Sequence, residues 1–275
     1  MKKNPIYSIA LAIVPTVVAF PQTLRQPLSA VYLNLSAYST QHSDVFSFVN
    51  NQAALAQTKN AHIGFYSEDR FLLQQTTIYT TALALPTDKG DFGIDIRYAG
   101  FKNFNEDQIG LAYARNLGKK IDVGAQFNYY SCRIPSYNSA SAVSIELGAI
   151  AHLTDQLNLG MHVYNPVGGN FYGTDEKLPS IFTVGMGYDA SEVFYVSTEI
   201  VKEEDFPASI NAGVQYRFQK RFFARAGIAS ATSSNYVGFG VAWNSFRMDI
   251  SVSWHPQLGL SPGLLFIMDM DKKAK

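Results

Sequence analysis

The stretch Ser209-Ile-Asn-Ala-Gly-Val-Gln-Tyr-Arg-Phe218 alternates along its whole length between apolar residues and small, polar or charged ones. Ile210 and Val214 fall on one face, and Asn211 and Gln215 fall on the other. Side chains of a β-strand point to opposite sides in turn, whereas a helix repeats about every 3.6 residues. The stretch therefore predicts a β-strand with one apolar and one polar face.

Similar alternation recurs along the chain, and no helical period of useful length appears between residues 60 and 270. The further stretches are residues 63–65, 76–85, 92–98, 109–113, 121–129, 143–151, 157–163, 182–188, 194–200, 222–228, 237–243, 246–254 and 264–270. Together they predict about fourteen antiparallel strands. Most are longer than the roughly 5 or 6 residues typical of soluble sheets.

The linkers between these stretches alternate in length. Short linkers follow the even-numbered strands, at residues 87–89, 118–120, 154–156, 189–192, 219–221 and 244–245. Longer linkers follow the odd-numbered strands, at residues 69–74, 102–107, 134–140, 165–178, 202–207, 230–234 and 255–262. This alternation is typical of a bacterial outer-membrane barrel, with short periplasmic turns and longer outer loops. Both termini are then expected on the periplasmic side.

The composition of the 275 residues supports a membrane barrel. Charged residues make up 16 %, against about 25 % in soluble domains. The 22 basic residues balance 22 acidic ones, and basic runs are absent, so nucleic acid is not an expected partner. A soluble sandwich or propeller also alternates, but the lysines here lie in turns, loops, strand ends and tails. The apolar faces are therefore left uncharged, as lipid requires.

The first residues have the features of a signal peptide. Lys2 and Lys3 precede the apolar residues 6–20, which are too few for a comfortable transmembrane helix. Val17 and Ala19 supply the small residues of a cleavage site, so residues 1–19 are assigned to a signal peptide. An N-terminal anchor or a buried strand is the alternative.

Residues 20–59 are assigned to an N-terminal segment and residues 60–271 to the barrel. Within the segment, residues 44–56 read Asp-Val-Phe-Ser-Phe-Val-Asn-Asn-Gln-Ala-Ala-Leu-Ala, which is apolar enough to be buried and too irregular for a long strand. We expect this part to plug the periplasmic mouth as a hatch. The residues that define the plug motif are Asp44, Asn50, Asn51, Gln52, Ala53 and Leu55.

Asp44 followed by Asn-Gln-Ala-Ala-Leu-Ala at residues 51–56 resembles the "D…NPAGLA" signature of the FadL-like and PorV/PorQ-like outer-membrane barrels. The resemblance is closest to the Bacteroidota members, and residues 68–73, 108–114, 177–179 and 258–262 also look similar to that group. It implies a fourteen-stranded barrel with an N-terminal segment folded into its periplasmic mouth. Gln52 stands where the family usually has proline, and the outer loops are short for a lipid-capturing FadL-like transporter.

Eight charged residues occupy inward positions of the predicted strands. They are Asp95, Arg97, Glu146, Glu199, Arg217, Arg225, Arg247 and Asp249. We interpret them as an ion-pair network that fills and rigidifies the lumen. A charged constriction, or a docking site for an anionic group, is the alternative.

Chemistry-bearing motifs are sparse in this sequence. His152 and His162 point inward on adjacent strands, but their hairpin register offsets them, which argues against a metal site. We find no nucleophile elbow, metalloprotease motif or phosphate loop, so neither an enzyme nor a cofactor is expected. Phe171 and Tyr172, in the longest outer loop, are expected to be exposed on a flexible lid or on a loop that contacts a partner.

Two functions follow from the resemblance. PorV-like members act in type IX secretion by binding the C-terminal signal domains of cargo, so the first expectation is a non-catalytic barrel that docks a protein partner or secretion cargo. FadL-like members pass hydrophobic solutes, so the alternative is a channel for hydrophobic small molecules. A barrel that mainly serves envelope structure is a third possibility. In each case outer-membrane lipid surrounds the barrel.

Overall fold

The computed structural model describes residues 35–133, 139–172 and 177–271. The predicted signal peptide, residues 1–19, lies outside the described residues. Fourteen strands form a closed barrel in which every neighbouring pair is antiparallel, and two further strands of two residues each pair with one another. The strands are β1 (His62–Asp69), β2 (Thr77–Leu85), β3 (Asp91–Phe101), β4 (Phe104–Leu117), β5 (Ile121–Arg133), β6 (Ala140–His152), β7 (Leu157–Tyr164), β8 (Gly169–Asn170), β9 (Lys177–Leu178), β10 (Ile181–Asp189), β11 (Phe194–Glu203), β12 (Ser209–Phe218), β13 (Phe222–Ala229), β14 (Ser234–Trp243), β15 (Phe246–His255) and β16 (Gly259–Asp269).

The barrel closes where β1 pairs with β16. His62 lies opposite Asp269, and the ladder continues to Glu68 opposite Gly263. The prediction of a fourteen-stranded antiparallel barrel is therefore confirmed. Closure satisfies the backbone groups that an open sheet would leave unpaired at its edges.

The connections at the two ends of the barrel differ less in length than the linkers in the sequence predicted. We call the end that carries residues 86–90 and 244–245 the turn end, and the opposite end, which carries residues 165–180, the loop end. The expected loop at residues 102–107 is wrong, because β3 and β4 continue to Phe101 and Phe104. Its polar residues had suggested a loop, but they alternate in the strand and bury Glu106 inside the barrel.

The outer surface is a continuous apolar band. Ile109, Leu111 and Phe239 are 47 %, 55 % and 67 % exposed in mid-strand positions. Aromatic residues lie nearer the strand ends and are also exposed: Tyr129, Tyr188, Tyr216, Trp243 and Trp254. Exposed apolar side chains on every strand, edged by tyrosine and tryptophan, are the surface that lipid requires of a transmembrane barrel.

Helices contribute only short turns to the described chain. Across residues 35–133, 139–172 and 177–271, no helix is long and apolar enough to cross a membrane.

The interior is filled by residues 35–57, which belong to the N-terminal segment predicted at residues 20–59. From here on, the name N-terminal segment means residues 35–57. It consists of short helical turns at Ser36–Tyr38, Ser47–Asn50 and Gln52–Gln57, almost all of them buried. The Asn51 side chain begins the last turn by accepting a hydrogen bond of 3.1 Å from the Ala53 backbone N–H, as an N-cap does. The segment packs mainly on β4, β5 and β6.

Candidate functional site

Inward-facing glycines on the barrel wall make room for the N-terminal segment. A Cβ atom on Gly160 would lie 2.5 Å from Cε1 of Tyr38, and one on Gly185 would overlap the same ring. A Cβ on Gly124 would lie 2.5 Å from the backbone of Gln52. Because a real Cβ is not tolerated at these distances, glycine at these wall positions is what allows the segment to approach.

Tyr38 anchors the segment to the far wall. Its ring lies against the glycines of β7 and β10, and its hydroxyl donates a hydrogen bond of 2.9 Å to Oε2 of Glu199. Asn211 donates to the other carboxylate oxygen at 2.8 Å, and Asn50 approaches Oε2 at 3.4 Å. Burial, together with the Glu199 charge, raises the pKa of Tyr38 well above its ordinary value, so the hydroxyl keeps its proton and remains a donor.

Gln52 makes the second anchor, in the middle of the lumen. Its Nε2 donates a 2.6 Å hydrogen bond to Oε2 of Glu146. The same carboxylate pairs with His162 at 2.9 Å and accepts from Asn128 at 2.7 Å. Gln52, at the position where the resembled signature has proline, is thus a hydrogen-bonding residue in this chain.

Asp95 and Arg97 continue this polar layer on β3. Arg97 Nε lies 3.0 Å from Oδ2 of Asp95, and Gln126 donates to Oδ1 at 2.7 Å. Gly110 stands between them on β4, where a Cβ would collide with both Asp95 and Gln126. The glycine therefore lets side chains of two strands meet across a third.

At the turn end, Asp44 ties the segment to a second ion-pair group. Its Oδ2 accepts from Arg247 Nη1 at 3.0 Å. Arg247 and Arg225 both donate to Oδ2 of Asp249, at 2.6 Å and 2.5 Å. The charged residues predicted to line the lumen therefore divide into separate groups, and Arg217 stands apart from all their ion pairs in the described residues.

Asp189 is an anchor that the sequence did not reveal. It lies at the end of β10 and is fully buried. It accepts hydrogen bonds from the Ser39 hydroxyl at 2.5 Å and from the Thr40 backbone N–H at 3.0 Å. From the sequence, a carboxylate at a strand end next to a turn is expected at the surface. Here it is covered by Ser39 and Thr40, which are remote in sequence.

The loop end is closed by a different element. Phe171 was expected to be exposed, and this is wrong: it is 3 % exposed, and its ring centroid lies 5.3 Å from that of Tyr130. Tyr172 is 86 % exposed, as expected. The reason is local pairing, since the Tyr172 N–H donates to the Ser141 carbonyl at 2.7 Å and turns Phe171 inward.

A cavity of about 50 Å³ remains between the two closures. Polar and apolar residues both line it: Asn50, Arg97, Glu146, His162, Thr183 and Glu199 on one hand, and Val49, Tyr164, Ile181 and Val201 on the other. An engineered apolar cavity that binds benzene measures about 150 Å³. This cavity is therefore too small for even a small aromatic molecule.

The inward histidines are bound to single carboxylates. His152 pairs with Asp122 at 2.8 Å, and His162 pairs with Glu146. Within the residues that the structure describes, three or more potential metal ligands do not converge.

The wall near β1 is apolar and made of small residues. Phe48, Val49 and Leu55 of the segment pack here, and their neighbours belong to one cluster of buried residues. We call the aliphatic wall residues of this cluster the apolar stripe; they are Ala82, Ala84, Ala112, Ala114, Leu265 and Ile267. The lumen thus has an apolar side on β2, β4 and β16, and smaller apolar clusters lie elsewhere, around Tyr130 and around Ile150.

Sequence reasoning named the plug residues, but it missed Tyr38, Asp189 and the glycines that receive the segment. Asn51 and Ala53 lie where β5, β6 and β7 face the lumen. Gly185 and Gly187, two apart on one strand, are the signal that could have been used. Inward glycines that recur at a spacing of two leave a groove in the wall, which here receives Tyr38.

The fold is similar to that of solved hydrocarbon channels. The CymD monoaromatic hydrocarbon channel has a TM-score of 0.63 and 13 % identity, covering 82 % of this chain and 93 % of that chain. The Ralstonia pickettii toluene transporter TbuX has a TM-score of 0.64 and 11 % identity, covering 82 % and 94 %. A Pseudomonas aeruginosa FadL homologue has a TM-score of 0.53 and 13 % identity, covering 82 % and 93 %.

No protein-family model and no curated protein matches the sequence. At these identities the structural likeness shows the fold alone, a closed antiparallel β-barrel like those of these solved proteins. The finer resemblance to PorV/PorQ-like proteins of Bacteroidota stays a prediction.

Proposed function

We propose that the protein is an outer-membrane channel for small apolar molecules, and that its N-terminal segment closes the lumen in the conformation of this structure. One observation carries the proposal. Residues 35–57 occupy the lumen of a FadL-like barrel, and the cavity beside Val49 and Asn50 measures only about 50 Å³. Passage then requires the segment to move.

The apolar stripe supports the proposal that the molecule that passes through the barrel is apolar. Ala82, Ala112 and Leu265 are covered by side chains of the segment, such as Phe48 and Leu55. When the segment moves away, this side of the wall is uncovered and offers an apolar surface along the lumen. Burial of apolar surface stabilises a bound hydrocarbon by roughly 25 cal/mol per Å².

The fold neighbours support the same class of solute. Those solved proteins are described as a monoaromatic hydrocarbon channel and a toluene transporter. Toluene is therefore the first molecule to test on this chain.

We further propose the orientation that the sequence predicted. The first strand begins at His62 and the last ends at Asp269, both at the turn end. In outer-membrane barrels the short turns face the periplasm. The N-terminal segment then closes the periplasmic side and Phe171 closes the outer side.

A protein-docking role in type IX secretion was the first expectation from the sequence, and it remains a prediction. The comparisons favour the channel. Phe171, one of the two loop aromatics expected on a flexible lid or on a partner-contacting loop, is turned into the barrel.

The test is uptake of labelled toluene, measured in a strain whose own copy of the protein has been deleted and which then expresses a chosen barrel. Cells complemented with the wild-type protein are compared with cells that express an unrelated outer-membrane barrel at the same level. The proposal expects faster uptake with the wild-type protein alone. Equal rates in the two strains would overturn it, and a stoichiometric protein partner recovered under those conditions would favour docking.

A further inference from the structure

Three arginine side chains surround one buried aromatic ring at the turn end of the lumen. The Cζ atoms of Arg217, Arg247 and Arg225 lie 4.9, 5.1 and 5.7 Å from the centroid of the Phe223 ring. Arg217 and Phe223 face each other across β12 and β13. The cluster therefore lies at the turn end of these strands, where Arg217 is part-exposed while Phe223 and Arg225 are buried.

The carboxylates of the cluster balance only two of the three charges. Asp249 accepts hydrogen bonds from Arg225 and Arg247, and Asp44 accepts one from Arg247. Arg217 is only part-buried, and its Nε is buried without a hydrogen-bond partner in the described residues. The charge of Glu192 also acts on Arg217, but less strongly than those of Arg247 and Arg225, and it forms no ion pair with Arg217 in the described residues. Arg217 is thus a guanidinium without an ion-pair partner beside two others.

His42 of the N-terminal segment adds no further positive charge to the cluster. Burial, followed by the charge of Arg217, lowers its pKa, against a smaller opposing effect of Asp189. Gln215 lies 2.8 Å from its Nδ1 and can donate there to a neutral ring. The imidazole is therefore neutral and faces the arginines as a polar group.

The Phe223 ring face stabilises a nearby cation by about 0.5–2 kcal/mol, but it carries no counter-charge. A guanidinium presents several N–H donors in a planar fork that matches the oxygens of carboxylate or phosphate. A concave mouth lined by charge of one sign also concentrates counter-ions.

We propose that Arg217, in the field of Arg225 and Arg247, binds a small oxyanion, a carboxylate or a phosphate, that enters from the turn end. The site lies on β12 and its neighbours, separate from the apolar stripe on β2, β4 and β16. It does not depend on which apolar molecule the barrel passes. The oxyanion is either a dissolved ion or the charged end of an amphiphilic molecule, and the shared chemistry is the anionic oxygen pair.

Isothermal titration of the purified full-length barrel, in non-ionic detergent at fixed ionic strength, tests the proposal. The probes are inorganic phosphate, acetate and hexanoate. The variant is Arg217→Gln, which removes the charge of Arg217 without breaking an ion pair. The matched control is Arg221→Gln, four residues away on the exposed turn, where Arg221 stacks 5.4 Å from the Trp243 ring.

The expected result is binding to the wild-type protein and to Arg221→Gln, weakened about tenfold or more in Arg217→Gln, as loss of a charge-assisted hydrogen bond predicts. Phosphate binding would identify a dissolved ion as the occupant. Arg217-dependent binding of hexanoate alone would identify the end of an amphiphile. Absence of binding to the wild-type protein, or equal affinities in Arg217→Gln and the wild type, would overturn the proposal.

Discussion

The hydroxyl of Tyr38 donates a hydrogen bond of 2.9 Å to Oε2 of Glu199, a residue 161 positions later in the chain. One partner belongs to the N-terminal segment and the other to the barrel wall. Both side chains are buried, and the carboxylate accepts further bonds from Asn50 and Asn211. The contact shows how the segment is held: Tyr38 reaches a buried carboxylate of a wall whose glycines leave room for its ring.

Replacing Tyr38 with phenylalanine keeps the ring among the glycines but removes a donor to a buried carboxylate. We expect a loss of about 1–3 kcal/mol in stability, the cost of leaving a buried polar group without one of its partners. The measurement is urea unfolding of the barrel in detergent. Tyr79→Phe is the control, because Tyr79 is 43 % exposed on the outer face. Equal midpoints for the two variants would contradict the assigned role of Tyr38.

Replacing Asp44 with asparagine removes one of the two carboxylates that bind Arg247. The wall pair of Arg247 and Asp249 remains, so we expect the barrel to stay folded while the N-terminal segment loosens. The measurement is the rate at which an impermeant maleimide labels a cysteine placed at Ser39, with Cys132 replaced by serine. Asp44→Asn should raise that rate severalfold.

Asp249→Asn should behave differently from Asp44→Asn. It removes the carboxylate shared by Arg225 and Arg247, and breaking a buried ion pair costs about 3–5 kcal/mol. We expect the whole barrel to become less stable, rather than the N-terminal segment alone to loosen. The measurement is the midpoint of urea unfolding. An unchanged unfolding midpoint would show that the ion-pair group does not stabilise the wall.

Gly240 and Gly238 form a matched pair on β14. A Cβ on Gly240 would collide with Asp249, whereas a Cβ on Gly238 would meet its nearest atom at 3.4 Å. We expect Gly240→Ala to cost about 1–3 kcal/mol, as overpacking does, and Gly238→Ala to cost much less. Urea unfolding of both variants checks this, and the reverse order would contradict the idea that Gly240 lets Asp249 reach Arg225.

Phe171 and Tyr172 are adjacent, but Phe171 points into the barrel and Tyr172 points outward. Variants at the two positions therefore test separately whether the loop closes the barrel and whether it contacts a partner. Phe171→Ala removes the contact with Tyr130 and should release the loop at residues 165–172, which we would measure as faster cleavage by a protease added outside the cells. Tyr172→Ala should leave the cleavage rate unchanged. If Tyr172→Ala alone altered function, a partner-contacting loop would be favoured instead.

The strands of the barrel could be predicted from the sequence because the alternation of apolar and polar residues is visible within each strand. Residues such as Ile210 and Asn211 reveal their faces through their immediate neighbours, and the prediction of fourteen antiparallel strands is confirmed. The loop expected at residues 102–107 was wrong because polar residues inside a filled barrel look like a loop until the register is known.

The contents of the lumen were harder to predict. Asp44 and Gln52 were named from a motif, but their partners Arg247 and Glu146 depend on which strands face one another across the barrel. The burial of Phe171 depends on a backbone contact with Ser141, which no local pattern encodes.

The central claim is that the N-terminal segment must move for the channel to open. The most direct test is a cysteine pair at Ser39 and Asp189, whose side chains lie 2.5 Å apart at Oγ and Oδ1, with Cys132 replaced by serine. We would measure toluene uptake by cells that carry this variant before and after reduction of the disulfide, with the single Ser39→Cys variant as control. The account predicts that the oxidised form takes up no more than cells without the protein, and that reduction restores uptake. Equal uptake by the oxidised and reduced forms, both above that background, would contradict it.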